Sequence, residues 1–233
     1  ILLGYAHLTA PLHVGDLGDR EAVPALAALL IDNRHLVSED MDAAQALGKI
    51  GDPTAIDALR QASTASIARE KAAIEEATAP KDNLYRPGFY INQISADEYT
   101  LRHEIAQALG AIGDARALDA LFEMLANESG WMESTARDSI TQAIARMLKG
   151  DDESHARTLL ERVQHASPLV RTWAVYYLRN FRGDAIVKAL LDVAWNEKEE
   201  FAVREAALGT LGKIADEKNV EELDELARGA NRA

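Results

Sequence analysis

Two stretches of the 233-residue chain concentrate side chains suited to gripping a partner or ligand. The first runs from Ala79 to Ile94 and carries Tyr85, Arg86, Phe89 and Tyr90 beside Pro80, Pro87 and Gly88. Tyr and Phe supply large contact area at low rotamer cost, and Arg adds directional donors or a cation–π contact. The mixture resembles that of interface hot spots. The second stretch, Trp173 to Arg182, places Trp173, Tyr177 and Phe181 on one helical stripe with Tyr176 beside it. Such a stripe is either core or a binding ledge. The first stretch has three readings: contact with a partner, aromatics folded back as a plug, or disorder. Nothing comparable points to catalysis. Cysteine is absent, which removes disulfides, thiolate metal sites and cysteine nucleophiles. His155 and His165 lie ten residues apart, and His7 and His13 fall in an irregular segment, so neither pair has metal-ligand spacing. No nucleophile elbow, phosphate loop or dinucleotide fingerprint occurs. No catalytic residue, metal or cofactor is therefore expected.

These side chains must be held by helices. Hydrophobic residues make up 48% of the chain, too many for a disordered tail, and aromatics only 6%, with alanine the commonest residue. That balance suits closely packed helices and opposes a sheet-rich fold. A formal net charge of -13 opposes nucleic-acid binding, which needs cations to displace phosphate counterions. A neutral or basic protein partner fits the charge better. No apolar run approaches the roughly 18–20 residues of a membrane span, so no membrane association is expected. The chain starts at Ile1, followed by Leu2 and Leu3. This apolar opening implies missing upstream residues, whereas Glu221 to Ala233 reads as a polar cap. A cytoplasmic location is expected.

A repeat organises the chain. Leu47-Gly48-Lys49-Ile50-Gly51-Asp52 recurs as Leu109-Gly110-Ala111-Ile112-Gly113-Asp114 and as Leu211-Gly212-Lys213-Ile214-Ala215-Asp216, with weaker copies near Gly18, Gly150 and Gly183. The turn positions 18, 51, 113, 150, 183 and 215 are spaced by 33, 62, 37, 33 and 32 residues, so the long gap is close to two periods. Glycine at the turn supplies a left-handed helix terminus. The next residue, Asp19, Asp52, Asp114, Asp184 or Asp216, is placed to cap the following helix, and Pro53 sits where no N–H is needed. After the turn, apolar residues return at helical spacing: Leu118, Leu121 and Leu125, or Ile186, Leu190 and Val193. Each unit is thus a helix pair that completes its core by stacking on neighbours. Arg102, Arg137, Arg171 and Arg204 recur in register, with Asp40 breaking the pattern in the second unit. They form either an anion-binding ladder or structural staples to turn aspartates and carbonyls of neighbouring units.

Arg102 to Asp114 and Val203 to Leu208 resemble the HEAT-like repeat of the phycobilisome-lyase type. The resemblance covers nearly the whole chain. It implies an all-α fold, a right-handed α-solenoid of about six HEAT-like helix pairs, with second helices on the concave side. One single solenoid over residues 1–233 is expected, interrupted by an irregular aromatic-rich insertion at about 80–98. Ile67 to Ile74 could hide a degenerate unit, with the helix from Ala55 to Thr78 broken near Ser63.

The segment around Trp173 to Arg182 and the unit Tyr99-Thr100-Leu101-Arg102 resemble parts of E/F-type bilin lyase subunits, although their order along the chain differs. His103-Glu104 resembles the His-Glu motif of deoxyhypusine hydroxylase, which builds a di-iron site from several such pairs. The matching positions here hold Met41-Asp42, Thr172-Trp173 and Glu205-Ala206, so the ligand set is missing. The expected function is a non-enzymatic protein-interaction scaffold that binds a partner through its concave helices and the 80–98 insertion. The alternative is an E/F-type bilin lyase or chaperone-like subunit handling an open-chain tetrapyrrole on a phycobiliprotein. The candidate binding residues are Tyr85, Arg86, Phe89, Tyr90, Tyr99, Trp173, Tyr176 and Tyr177.

Overall fold

The repeated turns end one helix and start the next by the same two devices. Gly18, Gly51 and Gly113 take φ of 66°, 69° and 70°, the left-handed conformation in which a side chain would be strained. The aspartate after each glycine then caps the next helix: Asp19, Asp52 and Asp114 accept from the backbone N–H of Glu21, Thr54 and Arg116 at 2.9 Å each. The fourth turn departs from this scheme. Gly183, at φ 142°, itself occupies the cap position, so Asp184 is the first residue of its helix rather than the expected cap. There it still meets the positive end of the helix dipole.

The computed structural model describes residues 10–32, 36–78, 88–128, 135–149 and 153–214, with the side chains of residues 10, 77–78, 88–95 and 135 outside the description. Every element among the described residues is helical: α1 (Ala10–Leu17), α2 (Val23–Ile31), α3 (Val37–Ile50), α4 (Ile56–Thr78), α5 (Gly88–Ile112), α6 (Ala115–Asn127), α7 (Thr135–Met147), α8 (Glu153–Arg162), α9 (Pro168–Tyr177), α10 (Asp184–Trp195) and α11 (Phe201–Ile214). The fold class is thus all-α. The helices fall into two compact units, residues 1–147 and 148–233. None of them is long and apolar enough to cross a membrane. Ile1 to Leu3, Asp216 and Glu221 to Ala233, for which a role was expected from the sequence, lie outside the described residues.

In the first unit the first helices pack in series, α1 on α3, α3 on α5 and α5 on α7, while α4 packs on both α2 and α6. The sequence reason is a glycine three residues before each turn. A Cβ on Gly15 would lie 2.7 Å from the Ala46 Cα, one on Gly48 2.7 Å from the Ala108 Cα, and one on Gly110 2.9 Å from the Ala143 Cβ. Glycine facing alanine lets the helices approach closely, and Leu47, Leu101, Ile105 and Leu109 fill the space behind them without exposure. Leu118, Leu121 and Leu125 of α6 are buried as their spacing requires. In the second unit α9 packs on α8 and α11, and α11 on α10. Here Ile186, Leu190 and Val193 are buried in the same way.

The gap of nearly two periods does not contain an extra helix pair among the described residues. It lengthens two helices instead: α4 has 23 residues and α5 has 25. No break occurs at Ser63, because Ser63 and Ser66 are buried within the helix and Thr64 donates its hydroxyl to the Arg60 carbonyl. The insertion expected to be irregular through residue 98 is helical from Gly88 onward. Its periodicity is disguised. Glu98 and Arg102 sit on the buried face, where Leu101 and Ile105 continue the apolar stripe. Residues 79–87 lie outside the described residues.

Candidate functional site

The aromatic residues of α9 form one cluster. Pro168 starts this helix, where its missing N–H costs nothing, and helical spacing brings residues 173, 176 and 177 to neighbouring positions. Trp173 and Tyr177 stack at 5.7 Å between centroids, and Tyr176 meets both edge-on, at 5.4 and 5.6 Å. Their depths differ. Tyr177 and Phe181 are buried, Trp173 is half-buried, and Tyr176 is 41% exposed. Arg179 lies over the outer ring, its guanidinium carbon 4.5 Å from the Tyr176 centroid. Burial pushes the Tyr177 hydroxyl well above the usual phenol range, so that ring stays neutral and acts as packing. The stripe is therefore core on its inner side and a ledge on its outer side, where Tyr176 is exposed between half-buried Trp173 and Arg179. Arg179 completes the ledge, and its signal was a cation three residues after an exposed aromatic.

Tyr99 belongs to a separate arrangement in the first unit. Its ring lies 4.7 Å from the guanidinium carbon of Arg102, which is only 1% exposed. Arg102 donates to Glu128 at 2.7 Å, to Glu70 at 2.8 Å and to the Ser66 hydroxyl at 3.0 Å. Beside it Arg69 grips Glu98 with two bonds, at 2.6 and 2.9 Å, and Ser66 donates to the Glu98 carbonyl. The bonds with Glu98 raise the Arg69 guanidinium above its ordinary range, and the charge of buried Asp40 adds to this. Burial raises the Glu128 carboxyl above its ordinary range even though Arg102 pulls it down. Burial, followed by a hydrogen bond with Glu70, likewise raises the Tyr99 hydroxyl. This network ties α4, α5 and the end of α6 together. With Arg102 enclosed by two carboxylates, it has no room for an outside anion.

Arg171 and Arg204 are also staples. Arg171 grips Glu199 at 3.0 and 2.7 Å and donates to the carbonyls of His165 and Ala166. Arg204 donates to the Ala194 carbonyl, and the charge of Arg137 acts on Glu128. Their partners are glutamates and carbonyls near the ends of second helices or in adjoining turns, in place of the turn aspartates. Glu70, Glu98 and Glu128 escaped the sequence reading. Their signal was charge at positions where a helical pattern calls for apolar residues.

Of the remaining candidates, Tyr85 and Arg86 lie outside the described residues, and Phe89 and Tyr90 lie in α5 with side chains outside the description. His103 is committed to α7, its Nδ1 2.5 Å from the Ser139 hydroxyl. Among the described residues no group of three or more His, Asp or Glu side chains could hold a metal ion.

Comparison with known proteins agrees with the helix pairs. Residues 41–64 and 101–127 match the PBS lyase HEAT-like repeat, and residues 156–233 match HEAT repeats. No curated protein matches the chain. Among solved structures, human deoxyhypusine hydroxylase in complex with glycerol is similar over 92% of this chain and 92% of its own, with 18% identity and a TM-score of 0.31. With glycine–aspartate turns joining its helices and both repeat patterns present, the chain is a HEAT-like repeat protein that carries PBS lyase HEAT-like repeats at 41–64 and 101–127.

Proposed function

We propose that the protein is a non-enzymatic scaffold that holds a partner protein through the concave helices of its repeats and the segment 80–98, with the ledge on α9, a first helix, as a separate contact. The observation that carries this reading is the ledge itself. Tyr176 is exposed on a rigid helix, backed by Trp173 and covered by Arg179, in a chain of net charge -13. An aromatic pair fixed by a buried third ring loses little freedom on binding, which is how hot spots gain affinity. Tyr85, Arg86, Phe89 and Tyr90 supply the same chemistry in the insertion, and the partner is a protein with neutral or basic surface. Replacing Trp173 and Tyr176 together with Ser is expected to weaken partner binding by ~2 kcal/mol or more. Undiminished binding by a folded double variant would remove the ledge from the account.

The second reading, an E/F-type bilin lyase or chaperone-like subunit, rests on the same pairing of Tyr176 with Arg179. An open-chain tetrapyrrole has a flat conjugated face for the ring and carboxylates for the guanidinium. Adding a bilin to the protein separates the two readings. A saturable shift in its visible absorbance, lost in the double variant, favours the tetrapyrrole. An unchanged spectrum favours the scaffold.

A further inference from the structure

The ledge on α9 lies in the least acidic part of the chain. From Arg162 to Gly183 the sequence holds four arginines and no aspartate or glutamate, the longest such run in a chain with 38 acidic residues. Arg171 is matched by Glu199 from outside this run. Arg179 and Arg182 are not matched: among the described residues neither has a carboxylate partner.

Both cations belong to the turn that closes α9. Leu178–Asn180 form a 3-10 turn, which sets the Arg179 guanidinium carbon 4.5 Å from the centroid of exposed Tyr176. A guanidinium over a ring uses its flat face there and keeps its N–H edge for a planar acceptor. No hydrogen bond among the described residues takes that edge. Exposed Arg182 is tied to the same turn, its Nη1 donating to the carbonyls of Arg179 at 3.1 Å and Phe181 at 3.0 Å, which leaves Nε and Nη2 unused. Salt screens charges beyond about 8 Å, so a group on the ledge feels these two cations more than the net charge of -13.

We propose that the ledge receives an acidic segment of the partner protein, in which carboxylates flank an apolar or aromatic side chain. The proposal rests on the reading of the ledge as a contact and names the chemistry of what lands there. The apolar side chain lies against Tyr176 and Trp173. One carboxylate takes the N–H edge of Arg179 and another takes Arg182, as charge-assisted bonds. The occupant is argued from charge complementarity. A partner whose surface is neutral or basic overall presents its acid here, at two cations that the chain itself leaves uncompensated.

The test uses three short peptides with a central Trp flanked by Glu, by Gln or by Lys, each carrying an uncharged dye. Titrated with the full chain at low salt and followed by anisotropy, the Glu peptide is expected to bind saturably and at least tenfold more tightly than the other two. Arg179→Gln and Arg182→Gln should each weaken it at least threefold. Arg60→Gln, which removes a half-exposed arginine of the first unit, should leave it unchanged. Arg182 is exposed, so Arg182→Gln should keep the circular dichroism and melting of the parent even where Arg179→Gln disturbs the end of α9. A Gln or Lys peptide that binds as tightly as the Glu peptide, or binding indifferent to both variants, would overturn the acidic occupant and leave the ledge as a contact. No saturable binding of any peptide would also overturn it, and partner binding by the Trp173 and Tyr176 double variant then judges the ledge separately.

Discussion

Arg102 shows how much a single side chain can carry in a HEAT-like stack. A guanidinium that is 1% exposed survives only because Glu70, Glu128 and Ser66 surround it. Arg102→Leu would leave two carboxylates buried without their counter-charge. The expected loss is ~3–5 kcal/mol, measured by urea unfolding, and adding Glu128→Leu should recover part of it. A loss below ~1 kcal/mol would mean that water reaches the network.

The capping aspartates behave in the opposite sense to Glu128 with pH. Hydrogen bonds from Thr54 hold the Asp52 carboxyl below its ordinary 3.8, and Arg116 does the same for Asp114. The folded chain thus binds these protons more weakly than the unfolded chain. Their contribution is complete above the ordinary value and is lost as pH falls below it. Glu128, raised by burial, binds its proton more tightly when folded, so it opposes folding increasingly as pH rises above its ordinary 4.5. In the variant Asp52→Asn with Asp114→Asn, stability should depend less steeply on pH between about 4 and 2. Equal slopes in variant and parent would show that these caps do not titrate as described.

At the scale of the helix, the glycines three residues before the turns set the spacing of the stack. Gly48→Ala would push a methyl group to 2.7 Å from the Ala108 backbone, where no flexible side chain can yield. A cost of ~1–3 kcal/mol is expected despite the better helix propensity of alanine. Gly209→Ala in α11 meets nothing within 4 Å among the described residues and should gain up to about 1 kcal/mol. Thermal melts of the two variants should therefore move in opposite directions. Parallel shifts would show that propensity alone governs both sites.

The same scale explains what could be read from the chain and what could not. Leu-Gly-x-Ile-Gly-Asp announces a helix end, a left-handed glycine and a cap, and the helix pairs follow from it. The start of α5 was hidden because Glu98 and Arg102 occupy its buried face, and hydropathy marks such positions as exposed. Only the partner charges on α4 and after α6 make that face inward, and these lie 26 to 32 residues away along the chain. Asp184 was misread by one residue, because Gly183 takes an extended conformation with positive φ that composition does not reveal. The α9 stripe was legible as aromatic. Its division into a buried Tyr177 and an exposed Tyr176 depends on packing against neighbouring helices.

For the molecule as a whole, the proposed role is that of repeats holding aromatic side chains in position for a partner. Each compact unit carries its own arginine–glutamate staple, a buried one between Arg102 and Glu128 in the first and a half-buried one between Arg171 and Glu199 in the second. Rigid presentation of this kind lowers the ordering cost of binding. The most direct measurement is affinity purification from the native host, comparing the parent with a variant in which Tyr85, Arg86, Phe89 and Tyr90 are all Ser. The account predicts one stoichiometric protein partner on the parent, lost from the variant, with only a modest change in melting temperature. A variant that keeps the partner yet melts much earlier would contradict it, and would make these aromatics a plug in the fold.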